Sequence, residues 1–288
     1  MPKFLHEYSW PDLLRLQPLV HAYKSARYAL IDRRYLRNTL PDDVTEPIRA
    51  VIGGKDLLVT VAFNDPDLID WHLCLCNKFL PPHLHLIADN SNDAKASEEI
   101  RKVSKAHRAH YVKLPDNPWT RKGNGSRSHG AAMNLVWQQL IRPAAPRAFG
   151  FLDHDLFPTA LDDPFALLEK HDWYGDFRFG RDRWFLWAGY CFFRFDKVRD
   201  VPLDFSLDWF AGLDTGGANW EILYKHADRS NLPNRTILEF AALEGISASK
   251  ACFEWRGTWL HETGFGDDRS MRAEKRLALG ALLKPLLA

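Results

Sequence analysis

Two carboxylates, one residue apart, follow an apolar run near the middle of the chain. Residues 149–152 are apolar, and Asp153, His154 and Asp155 come directly after them. Because side chains at i and i+2 of an extended segment point to the same side, Asp153 and Asp155 can converge on one hard cation where strand becomes loop. A second interpretation makes one aspartate a turn or capping residue and leaves the other solvated. The first interpretation predicts a divalent-ion site with an anionic ligand.

The composition of the 288 residues, 46% hydrophobic and 26% charged, is that of a globular protein with a substantial core. A formal net charge of +1 without a basic block argues against nucleic acid as a partner. No segment reaches the roughly 20 apolar residues of a membrane span, and the first residues lack a signal-peptide core. We therefore expect a soluble, cytoplasmic protein.

Cysteine and tryptophan usage adds two expectations. The cysteines show no paired spacing with histidine that suits zinc, so we expect reduced, small apolar residues. They are Cys74, Cys76, Cys191 and Cys252. The 11 tryptophans are more than a core usually needs for packing, which predicts that some of them line a binding cleft.

Alternating patterns along the chain predict the elements that position the aspartates. Residues 1–50 have helical spacing and form a helical N-terminal extension. Residues 57–63 are a continuous β-rich run, typical of a strand buried on both faces of a parallel sheet. Helices then fit 67–79, 96–106 and 130–140, strands fit 84–88 and 109–114, and 115–129 is a polar loop. This order predicts an α/β fold with a mostly parallel central sheet flanked by helices.

Polar residues stand just past the end of several predicted strands. They are Asn64 and Asp65, Asp89 and Asn90, and the segment from Asp153 to Asp155. In open α/β sheets this edge binds ligands at the switch in strand order. No Gly-x-Gly-x-x-Gly follows the first strand and no Gly-x-x-x-x-Gly-Lys-Ser/Thr occurs, which argues against dinucleotide and P-loop binding.

The order of these motifs resembles the nucleotide-sugar-binding half of GT-A fold glycosyltransferases. The resemblance rests on the polar turn after the first strand, Ala88-Asp89-Asn90-Ser91, Gly-Ser-x-x-x-Gly-Ala-Ala-x-Asn over 125–134, and the Asp-x-Asp. It covers roughly residues 55–270 and implies a GT-A-like (Rossmann-like) domain over 51–288. Residues 51–158 would then bind the nucleotide sugar, and 159–288 would form the acceptor-binding half and the C-terminal helix.

The resemblance also implies a divalent cation, Mn²⁺ or Mg²⁺, that bridges the diphosphate of a nucleotide sugar. Asp155 would contact the metal, and Asp153 would reach the ribose or a metal-bound water. His261 matches the position of a histidine that completes the metal shell in several members; its other interpretation is structural.

Further residues acquire roles through the same resemblance. Asn64, Asp89 and Asn90 fall where the family meets the nucleoside, although they also suit strand-end turns. Arg127 lies in a basic, glycine-flanked loop that suits a flap over phosphates, or it is a solvated charge. Asn134 is either a base contact or a helix-surface residue.

The second half of the chain supplies candidates for the acceptor side. Trp187 and Gly189 lie in the aromatic strand 184–194, which lines the acceptor pocket in the family or simply packs the sheet. Asp214 precedes a Gly-Gly turn and a helix start. It is our candidate for the general base of an inverting enzyme, and its alternative role, shared with Thr215, is to cap that helix.

We therefore expect a metal-dependent glycosyltransferase of the hexosyltransferase type that uses a UDP-sugar. The acceptor is a saccharide, a lipid-linked molecule or a small molecule. The alternatives are a nucleotide-sugar-binding protein without transfer activity and a sugar-phosphate nucleotidyltransferase, whose usual Gly-rich first loop is absent after Phe63. The tail, residues 270–287, reads as a basic amphipathic helix that packs on the domain or makes peripheral contact with a membrane.

Overall fold

Helices precede the sheet and cover part of one of its faces. The computed structural model describes residues 5–180, 182–233, 238–241, 253–263 and 272–288. The first helices are α1 (Trp10–Leu14), α2 (Gln17–Leu36) and α3 (Asp42–Ile52). Tyr35, Ile48 and Ile52 are buried in an apolar cluster that also contains residues of the sheet. The helical N-terminal segment is thus confirmed, and the domain boundary near residue 50 stays a prediction.

The predicted alternation of strands and helices is confirmed. It runs β1 (Asp56–Ala62), α4 (Pro66–Phe79), β2 (Leu84–Asp89), α5 (Ala94–Ala106), β3 (His110–Lys113), α6 (Gly125–Val136) and β4 (Ala148–Asp153). Helix α6 begins at Gly125 rather than at residue 130, because the Asn124 side chain accepts a hydrogen bond from Arg127 N and caps it. A π-helical segment, Trp137–Ile141, and α7 (Arg142–Ala144) continue it.

The strand order creates a crevice beside β4. After β4 come β5 (Leu156–Pro158), β6 (Trp173–Gly180) and β7 (Arg183–Arg194). In the described residues the main sheet has the order β3-β2-β1-β4-β7-β6, with β1 to β4 parallel and β7 antiparallel to β4. The chain moves outward from β1 to β3 and then returns to the other side of β1. The switch in strand order therefore lies between β1 and β4, where open α/β sheets bind ligands.

Burial on both faces of β1 explains why its sequence is apolar from Leu57 to Ala62 except for Thr60. Leu57 and Val59 pack into the cluster shared with α2, α3 and α6, whereas Leu58 and Ala62 pack on the opposite face. The mostly parallel sheet flanked by helices agrees with the α/β class that the sequence predicts.

A smaller antiparallel sheet stands beside the main one. After α8 (Phe195–Val198) and α9 (Asn219–Ile222) come β8 (Leu238–Ala241), β9 (Phe253–Arg256) and β10 (Trp259–Glu262). Its order is β5-β10-β9-β8. His261 therefore lies within a strand, β10.

The last helix, α10 (Arg272–Leu287), packs on the protein. Leu279 and Leu283 are buried in a cluster with Phe157 and Phe253, which favours the packing alternative for the tail. Residues 270 and 271, the start of the predicted helix, lie outside the described residues. Among the described helices, none combines the length and the apolarity that a membrane crossing requires.

Candidate active site

A cleft of about 550 Å³ opens at the carboxyl edge of β1 and β4. Its volume falls within the range of about 300–1,000 Å³ that is usual for small-molecule sites. Its wall includes Phe63, Asn90, Ser128, His129, Asp153, His154, Asp155, Trp187, Asp214 and Thr215. The cleft thus lies at the switch in strand order.

Two sheets bring Asp153, Asp155 and His261 together. Asp153 ends β4, Asp155 precedes β5, and His261 lies opposite Leu156 in the pairing of β5 with β10. A backbone hydrogen bond from Glu262 N to Asp155 O, 2.9 Å long, extends that pairing. One ligand atom from each of the three side chains lies within 4.8 Å of the others.

Carboxylates hold His261 from both sides. Its Nε2 lies 3.6 Å from Asp155 Oδ1, and its Nδ1 lies 3.2 Å from Glu254 Oε2. Burial by itself would lower the pKa of His261, but the carboxylates of Asp155, Glu254 and Asp153 outweigh burial and raise the pKa to about 9. The imidazolium near neutral pH is therefore a cation that Asp155 and Glu254 share, and Glu254 Oε2 also accepts a hydrogen bond from Arg256 Nη2 at 2.5 Å.

The two aspartates differ in how readily they ionise. Burial disfavours the charged form of both, but His261 outweighs it for Asp155 and holds the pKa of that carboxyl below its usual value. For Asp153 burial prevails and raises the pKa, although His129, with Nδ1 3.5 Å from Asp153 Oδ1, opposes this effect.

This donor set fits a hard divalent cation. Carboxylate oxygens suit Mn²⁺ and Mg²⁺, and imidazole is an acceptable ligand for manganese. A cation that replaces the proton on His261 Nε2 would leave Nδ1–H donating to Glu254, the arrangement that usually orients a metal-binding histidine. Asp153, Asp155 and His261 are the residues that could hold such an ion.

Trp187 forms part of the wall next to these groups. Its ring centroid lies 4.7 Å from that of His261, and the guanidinium groups of Arg178 and Arg256 lie 5.3 Å and 4.5 Å from the ring. Gly189 makes room for this arrangement, because a Cβ there would collide with the Trp187 ring and with Asp153 Oδ2. The acceptor role of Trp187 and Gly189 stays a prediction.

Asp214 is exposed in the same cleft. Its Oδ1 accepts a hydrogen bond from Thr215 N at 2.8 Å. Helix α9 begins at Asn219 with Ala218 at its N-cap, so the alternative that Asp214 or Thr215 caps this helix is wrong. Asp214 is thus a carboxylate that faces the cleft and does not start a helix.

Of the predicted nucleoside contacts, Asn90 lies in the cleft wall. Its amide donates to Ser128 Oγ at 2.8 Å and accepts from Asn117 Nδ2 at 3.1 Å, which fixes its orientation. Asn64 is instead bonded to the loop after β2, with Nδ2 2.6 Å from Asn92 Oδ1. Asn64 therefore links the loops that follow β1 and β2. This agrees with the alternative interpretation of Asn64 as a turn residue at the end of a strand.

Asp89 is fully buried at the end of β2. Its carboxylate accepts hydrogen bonds from Ser97 Oγ, from Tyr111 OH at 2.8 Å and from Ser91 N at 2.9 Å. These bonds tie β2 to α5 and β3, and the structure does not place the side chain in the cleft wall.

Arg127 and Asn134 are likewise not part of the cleft wall. The Arg127 guanidinium lies 4.0 Å from the ring centroid of Tyr28 on α2 and 5.3 Å from that of Trp119. Asn134 donates to Asp204 Oδ1 and accepts from Phe205 N, both at 2.8 Å. Arg127 on α6 therefore contacts α2 of the N-terminal segment, and Asn134 holds the segment after α8 in place.

The sequence interpretation missed several residues around the site. His129 faces Asp153, and Glu254 holds His261, as described above. A hairpin pattern could have revealed Glu254, because Gly257 and Thr258 separate two short strands whose register pairs Glu254 with His261. Arg178 and Arg256 carry no comparable local signal, since their contact with Trp187 joins distant segments.

Comparisons with known proteins leave the family open. No protein-family model and no curated protein matches the chain. Among solved structures, a crystal structure of S. aureus TarS aligns with a TM-score of 0.35 and 14% identity. The match covers 52% of this chain and 30% of the TarS chain. At this similarity it assigns no function, and the cleft itself supports the proposal below.

Proposed function

We propose that the protein is a metal-dependent glycosyltransferase that transfers a sugar from a nucleoside diphosphate sugar, a uridine one, to an acceptor hydroxyl. The observation that carries this proposal is the meeting of Asp153, Asp155 and His261 in a cleft at the switch in strand order. A diphosphate is the kind of anion that a cation held by two carboxylates and an imidazole would attract.

The metal site has a defined task in this proposal. When bound, Mn²⁺ or Mg²⁺ would neutralise charge that develops on the departing diphosphate. Asp155 and His261 would hold the ion, Asp153 would complete the shell or reach the ribose, and Glu254 would keep the His261 ring in place.

Other residues of the cleft wall would bind the two substrates. Asn90, with its fixed amide, and Phe63, directly after β1, line the cleft and would contact the nucleoside. Trp187 offers a flat ring for a sugar face. Asp214 would remove the proton from the acceptor hydroxyl as its oxygen attacks the anomeric carbon, which applies to an inverting reaction.

Calorimetry tests the metal and nucleotide parts of the proposal. We expect UDP to bind more tightly with Mn²⁺ than without it, and Asp155→Asn to abolish this enhancement. Asp116→Asn is the matched control, because Asp116 is exposed and pairs only with exposed Arg121 among the described residues. Equal UDP binding with and without Mn²⁺ would contradict the metal assignment.

A turnover assay separates transfer from binding alone. We expect Asp214→Asn to keep metal-enhanced UDP binding and to lose donor hydrolysis or transfer by about 100-fold or more. Undiminished turnover in this variant would remove Asp214 as the base. Metal-enhanced binding without turnover for any donor would favour the nucleotide-sugar-binding protein.

A further inference from the structure

A second group of potential metal ligands is buried between the main sheet and α4. His72 and Cys76 lie one turn apart on α4, His85 lies on β2, and Thr60 lies next to them on β1. All four are buried, with exposures between 0% and 5%. Imidazole and thiolate are the ligands that Zn²⁺ prefers, and this group is separate from the cleft.

The distances within this group suit a single ion. One ligand atom from each of His72, Cys76 and His85 lies within 4.8 Å of the other two. Cys76 Sγ lies 3.7 Å from His72 Nε2. In a tetrahedral zinc site, with bonds of about 2.3 Å to sulfur and about 2.0 Å to nitrogen, these atoms are about 3.5 Å apart. The helical pair is therefore already at ligand spacing.

The tautomer of His72 also suits a ligand. Its Nδ1 lies 2.7 Å from Leu156 O, and a carbonyl oxygen only accepts, so Nδ1 carries the proton. Nε2 then presents a lone pair towards Cys76. A histidine that donates its other nitrogen to a backbone carbonyl is oriented as metal-binding histidines usually are. Burial lowers the pKa of His72 to about 4, which keeps the ring neutral.

Hydrogen bonds alone leave the group incompletely satisfied. Thr60 Oγ1 lies 3.1 Å from His72 Nε2 and 3.0 Å from His85 Nε2. Because His72 Nε2 has no proton, Thr60 donates to it and accepts from His85 Nε2–H. Nδ1 of His85 then stays buried without a hydrogen-bond partner among the described residues. In the ion-bound state the same ring can carry its proton on Nδ1, where no hydrogen bond within the described part of the chain competes for it, and offer Nε2 to the ion.

An ion also has a path to the group. A surface depression reaches His85 and is lined in part by His83, whose ring centroid lies 5.6 Å from that of His85. Burial raises the pKa of the Cys76 thiol, so an entering ion must displace its proton, as ions do on binding thiols.

We propose that His72, Cys76 and His85 bind one zinc-type divalent ion, with the Thr60 hydroxyl or a water as fourth ligand. The ion would join α4 to β1 and β2. Through the hydrogen bond from His72 to Leu156 it would also fix the residue next to Asp155. The expectation that no cysteine has a zinc-type spacing to a histidine overlooked His72 and Cys76, four residues apart on α4. It had no means of finding His85, which reaches the group from β2.

Metal analysis of the purified full chain tests this site. After expression with added zinc and dialysis, we expect about one zinc per chain, and after exchange with Co²⁺ a thiolate-to-cobalt charge-transfer absorption. Cys76→Ser should lose the absorption and weaken zinc binding by more than about 100-fold. Cys74→Ser, on the same helix and outside the group, should keep both. Asp155→Asn should also keep both, because it alters only the cleft.

Three results would overturn the proposal: no zinc in the wild-type protein, an unchanged cobalt absorption in Cys76→Ser, or loss of that absorption in Asp155→Asn. If Cys76→Ser does not fold, His85→Gln replaces it, because His85 lies at the edge of the group. Retention of the full zinc content and of the cobalt spectrum in His85→Gln would then contradict the ligand set. The outcome is independent of UDP binding, so it is distinct from the test of the cleft.

Discussion

Raising the pH above neutrality should destabilise the chelator-treated protein through His261. Burial opposes protonation of this ring, but Asp155, Glu254 and Asp153 raise its pKa from 6.5 to about 9. A histidine whose pKa is raised by folding stabilises the fold while it is protonated in the folded state. This stabilisation is complete below about pH 6.5 and is lost as the pH rises through about 9.

The size of the effect follows from the two pKa values. A pKa of about 9 in the folded chain against 6.5 in the unfolded chain corresponds to about 3 kcal/mol of unfolding free energy. For a chain of this size that loss lowers the melting temperature by roughly 6 °C. Most of the change should fall between about pH 7 and pH 9.5.

Thermal and urea unfolding across this range, in the presence of a chelator, measure the loss. His261→Gln is the control, and its stability should change less with pH. Cys76 and Cys191, whose pKa values burial raises, also lower stability at alkaline pH. They do so in both proteins, so the difference between the two curves isolates His261.

Manganese should reverse the trend, because the ion competes with the proton for His261 Nε2. With Mn²⁺ present, wild-type stability should gain from the ion increasingly as the pH rises, and His261→Gln should gain less. If the curves of wild type and His261→Gln stay parallel from pH 7 to pH 9.5 without metal, the contacts with Asp155 and Glu254 do not hold a proton, and the reasoning fails.

Further variants test how the site is built. Gly189→Ala should weaken Mn²⁺ binding, measured by calorimetry, at least tenfold, because the new methyl group would collide with the Trp187 indole and the Asp153 carboxylate. Gly280→Ala on α10 is the control and should leave Mn²⁺ binding unchanged, because a methyl group there makes only an ordinary contact with Trp71. Arg127→Ala should lower the unfolding free energy in urea by about 1–2 kcal/mol and leave UDP affinity unchanged. Arg121→Ala, at an exposed residue of the same loop, should change neither quantity by more than about 0.5 kcal/mol. Weaker UDP binding of Arg127→Ala at unchanged stability would instead support the interpretation of Arg127 as part of a flap over phosphates. Asn134→Ala should cost about 2–3 kcal/mol of unfolding free energy, because the buried Phe205 N and the half-buried Asp204 carboxylate lose their hydrogen bonds to it. A loss confined to UDP affinity would contradict this role.

The sequence predicted the elements well because their patterns are local. Residues 57–63 are apolar except for Thr60, and β1, which ends at Ala62, is buried on both faces. The Asp-x-Asp motif lies at the predicted sheet edge because parallel strands align their carboxyl ends there. By contrast, α6 begins at Gly125 because Asn124 caps it. The glycines at 123 and 125 are typical of a loop, so the sequence did not predict a helix start there.

The polar residues at that edge were harder to assign, because their partners are distant in sequence. Asp89 meets Tyr111 on the neighbouring strand, and Arg127 meets Tyr28 on a helix about 100 residues earlier. In the sequence, Asp89 and Asp153 look alike, because each is the polar residue at the end of an apolar strand. Only the packing of α5 against β2 and β3 distinguishes a buried brace from a carboxylate that faces the cleft.

The two aspartates of the motif are held by different parts of the molecule. Asp153 belongs to β4 and depends on the space that Gly189 leaves on β7, whereas Asp155 is anchored by β10 through its backbone carbonyl. Leu156, the next residue, is held by His72 of the buried group. The distance between the two carboxylates therefore depends on how the small sheet and α4 attach to the main sheet. Changes that loosen either attachment should weaken metal binding in the cleft without touching a ligand.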